Sequence, residues 1–222
     1  MSNMTFRDRG DAGRKLAAAL RVYHNAKDTI VIALPRGGVV VGAEVARELA
    51  LPLDIVVPRK IGAPGNPEYA IGAITEAGEP VWDHQAVSLT DASEEYLEQT
   101  VAKERTEARR RLLTYRGDRP PRDVKGKTVV LVDDGIATGL TMRAAITTMR
   151  AEGAKRIVLA VPVAAAASIT KLRSTVDEIV CLHAPQWFGA VGAFYDTFEQ
   201  TSDEEVIRLF RAASAYPHHP LD

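Results

Sequence analysis

What this chain of 222 residues has little of narrows its function first. It has a single cysteine, Cys181, so an internal disulfide is excluded and a reducing cytoplasm is the expected compartment. The run "DEIVCL" around that cysteine marks it as a small core residue rather than a nucleophile. An excess of one charge is also missing. Lys and Arg number 28 against 29 Asp and Glu, a formal net charge of −1. No whole-chain electrostatic case for nucleic acid or an anionic membrane follows, and "ARRRL" is too short a basic cluster to make one. No apolar run approaches the ~20 residues that a spanning helix needs. The polar opening "MSNMTFRDRGDAGRK" lacks the apolar core of a signal peptide. His218 and His219 have no Cys/His pattern around them, so no metal site is expected there. At 46% hydrophobic and 26% charged, the composition is that of a globular chain with a real core, and the length suits one domain.

What is present is an alternation of helical and strand patterns. A helix is expected over 10–24, then a buried strand over "TIVIAL" (29–34), a turn "PRGG" (35–38), a crossover helix over 39–50 and a strand at 53–57. Residues 60–72, with two prolines and three glycines, read as a mobile loop, and a short hairpin is expected within 70–82. A long, evenly charged helix follows at 91–115, with Asp91 as N-cap and Glu94 three residues on. Residues 116–127 read as a linker. Then come strand 128–132, helix 140–152, strand 156–162, helix 165–175, strand 177–182, a long loop and a last helix near 203–214. Uniformly apolar strands between helices imply an α/β fold: an open, mainly parallel twisted sheet covered on both faces. Ligands bind beyond the carboxyl ends of such strands, where 35–38, 58–60, 133–139 and 183–192 would lie.

The most informative stretch is "VVLVDDGIATGLTM" (129–142). A buried strand runs into two carboxylates, then a loop with two glycines and two threonines, then a helix. The helix start offers free N–H groups and a favourable dipole, Gly135 and Gly139 allow close approach, and Thr138 and Thr141 add hydroxyls. That is a monophosphate cradle. It is not a P-loop: G-x-x-x-x-G-K-[ST] is absent, and the nearby "GKT" (126–128) opens a strand and has Pro121 where the first glycine belongs. G-x-G-x-x-G is absent too, and a Walker B reading of "VVLVDD" lacks its first half. A carboxylate can accept hydrogen bonds from neighbouring hydroxyls. A sugar with a vicinal diol and a 5′-phosphate would therefore suit the acids and the loop together.

These residues resemble the signature of the type I phosphoribosyltransferases. The resemblance implies that Asp133 and Asp134 hold the ribose hydroxyls of phosphoribosyl pyrophosphate (PRPP), and that Gly135, Ile136, Ala137, Thr138, Gly139, Leu140 and Thr141 complete its site around the 5′-phosphate. It places Pro35, Arg36, Gly37 and Gly38, with Arg59 and Lys60, on pyrophosphate. Mg²⁺ would be carried mainly by PRPP, with Asp133 and Asp134 reaching it at most through water. With "PQWFGAVGAFYDTF" included, the whole chain is similar to stand-alone bacterial phosphoribosyltransferases of unassigned acceptor. The family pattern adds a flexible closing loop at about 61–80, a lid helix at about 91–115, a C-terminal hood at about 183–214 and a homodimer. The aromatic hood segment suggests stacking on a flat, nucleobase-like acceptor, with Trp187, Phe188, Gly189 and Tyr195 as its contacts. Ala137 stands where hypoxanthine-type enzymes carry a mid-loop acid, so that route to a general base is missing. The implied activity is transfer of phosphoribosyl from PRPP to a nitrogenous acceptor with release of pyrophosphate, through an oxocarbenium-like state stabilised by Arg36, Arg59, Lys60 and Mg²⁺. Two alternatives stand beside it: a regulator of the same fold that senses PRPP or a nucleotide, and a nucleotide-phosphate hydrolase using the acidic pair for metal.

Overall fold

The structure, a computed structural model, describes residues 5–214; His218 and His219 lie outside them. The elements in chain order are α1 (Arg9–Ala19), β1 (Thr29–Ala33), α2 (Gly37–Leu49), β2 (Leu53–Ile55), β3 (Arg59–Ala63), β4 (Asn66–Ile74), β5 (Val81–Trp82), α3 (His84–Leu89), α4 (Glu94–Arg116), β6 (Thr128–Val132), α5 (Leu140–Ala151), β7 (Arg156–Val163), α6 (Ala166–Leu172), β8 (Glu178–His183) and α7 (Asp203–Ser214).

Five strands form a parallel sheet in the order β2-β1-β6-β7-β8. The expected doubly covered α/β sheet is what forms, and the apolar strands explain it. Alternate residues of each strand feed opposite faces. Val31, Val130 and Val158 pack with Leu16, Val45 and Phe210 of α1, α2 and α7. Ile32, Leu131 and Leu159 pack with Met142 and Met149 of α5 and Leu172 of α6. No helix among the described residues is long and apolar enough to cross a membrane.

Three segments differ from expectation. Residues 60–72 are not a loop: β3 and β4 pair antiparallel, and β5 adds a third strand. Ile61, Ala63, Ile71 and Ile74 are buried beneath Tyr96, Leu97 and Val101 of α4, and that burial outweighs the glycines and prolines. The register shifts around Gly62, leaving Pro67 outside the paired positions, where a missing N–H costs no ladder bond. The helix expected from Asp91 starts later, at Glu94, and an additional short helix, α3, precedes it. Asp83 caps α3 through the Ala86 N–H, and Ser93, not Asp91, caps α4 through the Tyr96 N–H at 3.2 Å. The hood expected over 183–214 divides. Residues 188–195 pack on Phe6 and Val163 as a small separate cluster, whereas α7 sends Val206 and Phe210 into the main core.

Candidate active site

β1 and β6 are neighbours and end level, with the Leu34 N–H donating to the Val132 carbonyl at 3.0 Å. Their two following loops therefore share one edge of the sheet. α2 starts at Gly37, two residues earlier than expected, so Gly37 and Gly38 form the first turn of a helix. The Pro35–Arg36 peptide is cis. α5 starts beside it, with Gly139 (φ 84°) as N-cap and no side-chain cap; glycine is the residue that adopts this left-handed backbone without cost. Both helices thus start without side-chain caps, and Pro35 just before α2 and Thr141 in the first turn of α5 line one cavity; an uncapped helix start can bind an anion.

Asp133 and Asp134 lie between them and are not equivalent. Asp133 faces a cavity of about 600 Å³. Its Oδ1 accepts from the Asp134 N–H at 2.9 Å. Burial, and then the Asp134 charge, push its carboxyl well above the usual carboxylate range. Asp134 turns away from the cavity. Its Oδ2 accepts from Arg9 Nε at 2.7 Å, and its carbonyl accepts from the Tyr195 hydroxyl at 2.6 Å.

Within the loop, Ile136 is buried and bridges to Ala164, with its N–H on the Val163 carbonyl, and Leu140 is buried against Ala73. Both anchor the loop, so only their backbones can serve a ligand. Gly135 sits against Val191. The Ala137 carbonyl accepts from the Ser168 hydroxyl, while Ala137 and Thr138 are exposed and Thr141 lines the cavity.

Three structures wall the cavity: the sheet edge with Pro35, Asp133 and Thr141; the hairpin with Arg59, Lys60, Pro67 and Glu68; and α4 with Tyr96, Thr100, Lys103 and Glu104. Arg59 donates to Glu104 at 2.9 Å, and the Tyr96 hydroxyl donates to the Gly62 carbonyl at 2.9 Å. The sequence reading of α4 as a solvated helix passes over these residues. Their spacing, 96, 100, 103 and 104, puts them on one helical face and is the available signal. Arg9, 125 positions from its partner, has no local signal at all.

Several expected site residues lie elsewhere. Arg36 is off the cavity wall, its guanidinium 3.8 Å from Asp203 at the start of α7. Trp187 is 94% exposed, Phe188 stacks on Phe194 at 5.2 Å, and Gly189 has open space around it. Tyr195 is buried between Phe6 and Phe198, and burial first, then the Asp134 charge, raises its hydroxyl pKa. None of the four lines the cavity. Phe188 and Tyr195 instead help close the small cluster that includes Phe6 and Val163. Cys181 is half-buried and its thiol is pushed up by burial, which fits a core residue. No three His, Cys, Asp or Glu converge as a metal site among the described residues.

Similarity to known proteins points to one family. The family model described as "Phosphoribosyl transferase domain" matches residues 6–199. Two curated Mycobacterium tuberculosis proteins, from strains CDC 1551 and H37Rv and each called a "putative phosphoribosyl transferase", are 44% identical over 208 residues. The alignment covers 94% of this chain and 47% of theirs, so the chain spans about half the length of these relatives. The crystal structure of the protein TT1426 from Thermus thermophilus is 47% identical, with a TM-score of 0.78 over 93% of this chain and 98% of that one.

Proposed function

Because the chain belongs to the phosphoribosyltransferase family, we propose that its cavity binds PRPP and transfers the phosphoribosyl group to a nitrogenous acceptor, releasing pyrophosphate. The observation that supports this best is the convergence on one cavity of Asp133, Thr141 in the uncapped first turn of α5, Pro35 before α2 and the cations Arg59, Lys60 and Lys103. A diol, a monophosphate and a pyrophosphate each find their chemical partner there.

In this reading Asp133 accepts from a ribose hydroxyl. The backbone N–H groups from Ala137 through Thr141 and the Thr141 hydroxyl hold the 5′-phosphate. The turn at 35–38 and the three cations hold pyrophosphate. As the bond to C1 breaks, the leaving group gains charge, and cations already in place stabilise it without reorganisation. No side chain needs to form a bond to the sugar. The hairpin and α4 screen the ribose from water, which limits hydrolysis. Glu104 holds Arg59 at the cavity wall, so incoming pyrophosphate would compete with it for the guanidinium. The donor set at the cavity is carboxylate and hydroxyl oxygen, which suits Mg²⁺ arriving on the substrate's phosphates with Asp133 reaching it through water. When bound, the ion supplies charge neutralisation for the departing pyrophosphate.

Thermal unfolding with Mg²⁺ and PRPP tests the proposal. Ligand at 100 times its dissociation constant adds about 2.7 kcal/mol, a rise of roughly 5–10 °C for a chain of this size. A Mg²⁺-dependent rise that is reduced in Asp133→Asn is the expected result. No rise at millimolar PRPP would overturn PRPP as the ligand. Pyrophosphate release on adding an acceptor separates an enzyme from a PRPP-sensing regulator.

A further inference from the structure

The cavity does not explain why Asp134 faces away from it. Its Oδ2 is 2.7 Å from Arg9 Nε, in a pair whose side chains are 12% and 15% exposed. Arg9 is itself held from three further directions. Its Nη1 donates to the Glu199 carbonyl at 2.7 Å, its guanidinium lies 3.8 Å over the Phe198 ring, and its backbone opens α1 beneath the Asp8 cap. The 35–38 turn closes on the same pair: a Cβ on Gly37 would stand 1.9 Å from Asp134 Oδ2 and 2.7 Å from Arg9 Nε. The Tyr195 hydroxyl fixes the Asp134 carbonyl from the hood side. One ion pair therefore joins the N-terminal helix, the pyrophosphate turn, the acidic pair and the C-terminal segment.

We propose that Arg9 is a positioning residue for the phosphoribosyl site. Its planar fork holds Asp134 and the Gly37 turn at a fixed separation, so that Asp133 is the carboxylate presented to the ribose. This rests on the phosphoribosyl reading of the cavity. Arg9 touches no substrate; it acts through Asp134. The geometry needs a fork: one nitrogen goes to Asp134 and another to Glu199, a span that the single ammonium of lysine cannot make in the same direction. The two carboxylates so divide the work. Asp133 faces the ligand, and Asp134 faces the scaffold.

The test is PRPP affinity, measured calorimetrically with Mg²⁺, for the wild type, Arg9→Ala, Arg9→Lys, Asp134→Asn and Arg9→Ala combined with Asp134→Asn. Circular dichroism checks that each variant is folded. Arg9→Ala should lose roughly tenfold or more in affinity, the least that losing a charge-assisted hydrogen bond costs. The same change should add less than about twofold on top of Asp134→Asn, because coupled residues are not additive. Arg9→Lys keeps the charge without the fork and should fall between. If Arg9→Ala is unfolded, Arg9→Lys decides: weaker binding supports the proposal and wild-type affinity overturns it. The proposal is also overturned if folded Arg9→Ala binds PRPP as the wild type does, or if its loss is undiminished beside Asp134→Asn, the mark of a merely structural role. A wild type that binds no PRPP removes the phosphoribosyl reading itself, and the proposal with it.

Discussion

At the scale of single residues, the cavity is governed by which charge is already spoken for. The sequence leaves Arg59 free for pyrophosphate, yet it is paired with Glu104, both side chains being largely shielded. An ion pair inside a walled cavity is screened less than one on an open surface, so Glu104 would work against an anion approaching Arg59. Arg59→Ala should weaken Mg²⁺-pyrophosphate binding roughly tenfold, the scale of one charge-assisted hydrogen bond. Glu104→Gln should strengthen it. Isothermal titration with Mg²⁺-pyrophosphate checks both, and a Glu104→Gln protein that binds more weakly would show that the glutamate positions the arginine instead of restraining it. Arg36 teaches the same lesson in reverse. Its motif is right for pyrophosphate, but its side chain lies against Asp203, so the turn offers its backbone more directly than its guanidinium.

At the scale of elements, α4 matters more than its composition suggests. Even charge along a helix reads as a solvated surface, but this helix covers the hairpin through Tyr96, Leu97 and Val101 and meets α7 at its other end. There the Tyr115 hydroxyl donates to Asp203 at 2.7 Å. Burial, then the Asp203 contact, pushes the Tyr115 hydroxyl up to about 12 from its ordinary 10.0. An unfolded chain gives up this proton near pH 10 while the folded one keeps it to about 12, so the unfolded state is favoured progressively across that window. Stability should be fully present below pH 10 and fall between 10 and 12. Tyr115→Phe should flatten that fall while lowering stability at neutral pH by about 1 kcal/mol for the lost hydrogen bond. Urea midpoints measured from neutral pH up through that window read both effects. Unchanged alkaline sensitivity in the variant would point to other tyrosines.

At the scale of the molecule, the three-stranded sheet and the five-stranded sheet are held together by a buried ionic group. Arg122, in the segment read as a linker, lies 2.6 Å from Glu76 after β4, and also binds Glu152 at the end of α5 and the Ile55 carbonyl. Glu76 further accepts from the Val57 N–H, and its carbonyl accepts from Arg109 of α4. Arg122 and Glu76 are 5% and 3% exposed at their side chains, so removing one partner leaves a charge buried. Arg122→Ala should cost about 3–5 kcal/mol. Denaturant unfolding checks the size, and a loss under about 1 kcal/mol, the scale of an exposed pair, would mean that water reaches Glu76 once the arginine is gone.

Much was legible in the sequence, and for stated reasons. Past their first residues the strands β1, β6 and β7 are apolar, which requires cover on both faces, and the Gly/Thr loop motif is contiguous from Asp133 to Thr141, so its pattern survives without knowledge of the fold. The short hairpin expected within 70–82 forms as β4 and β5, but the segment that pairs β3 with β4 reads as a loop because its glycines and prolines speak locally for one, while the burial of Ile61 and Ile71 under α4 depends on a helix far along the chain. The four cavity residues of α4 were missed for the same reason. The sequence by itself determined the sheet, the order of its elements along the chain and the sheet edge on which the loop from Asp133 to Thr141 lies, because periodicity and contiguous motifs are local properties. Only the tertiary structure decided which carboxylate faces the cavity, that Arg9 holds the other, and that Trp187 and Tyr195 stand away from it, because side-chain direction is set by partners that the chain brings back from far along its length.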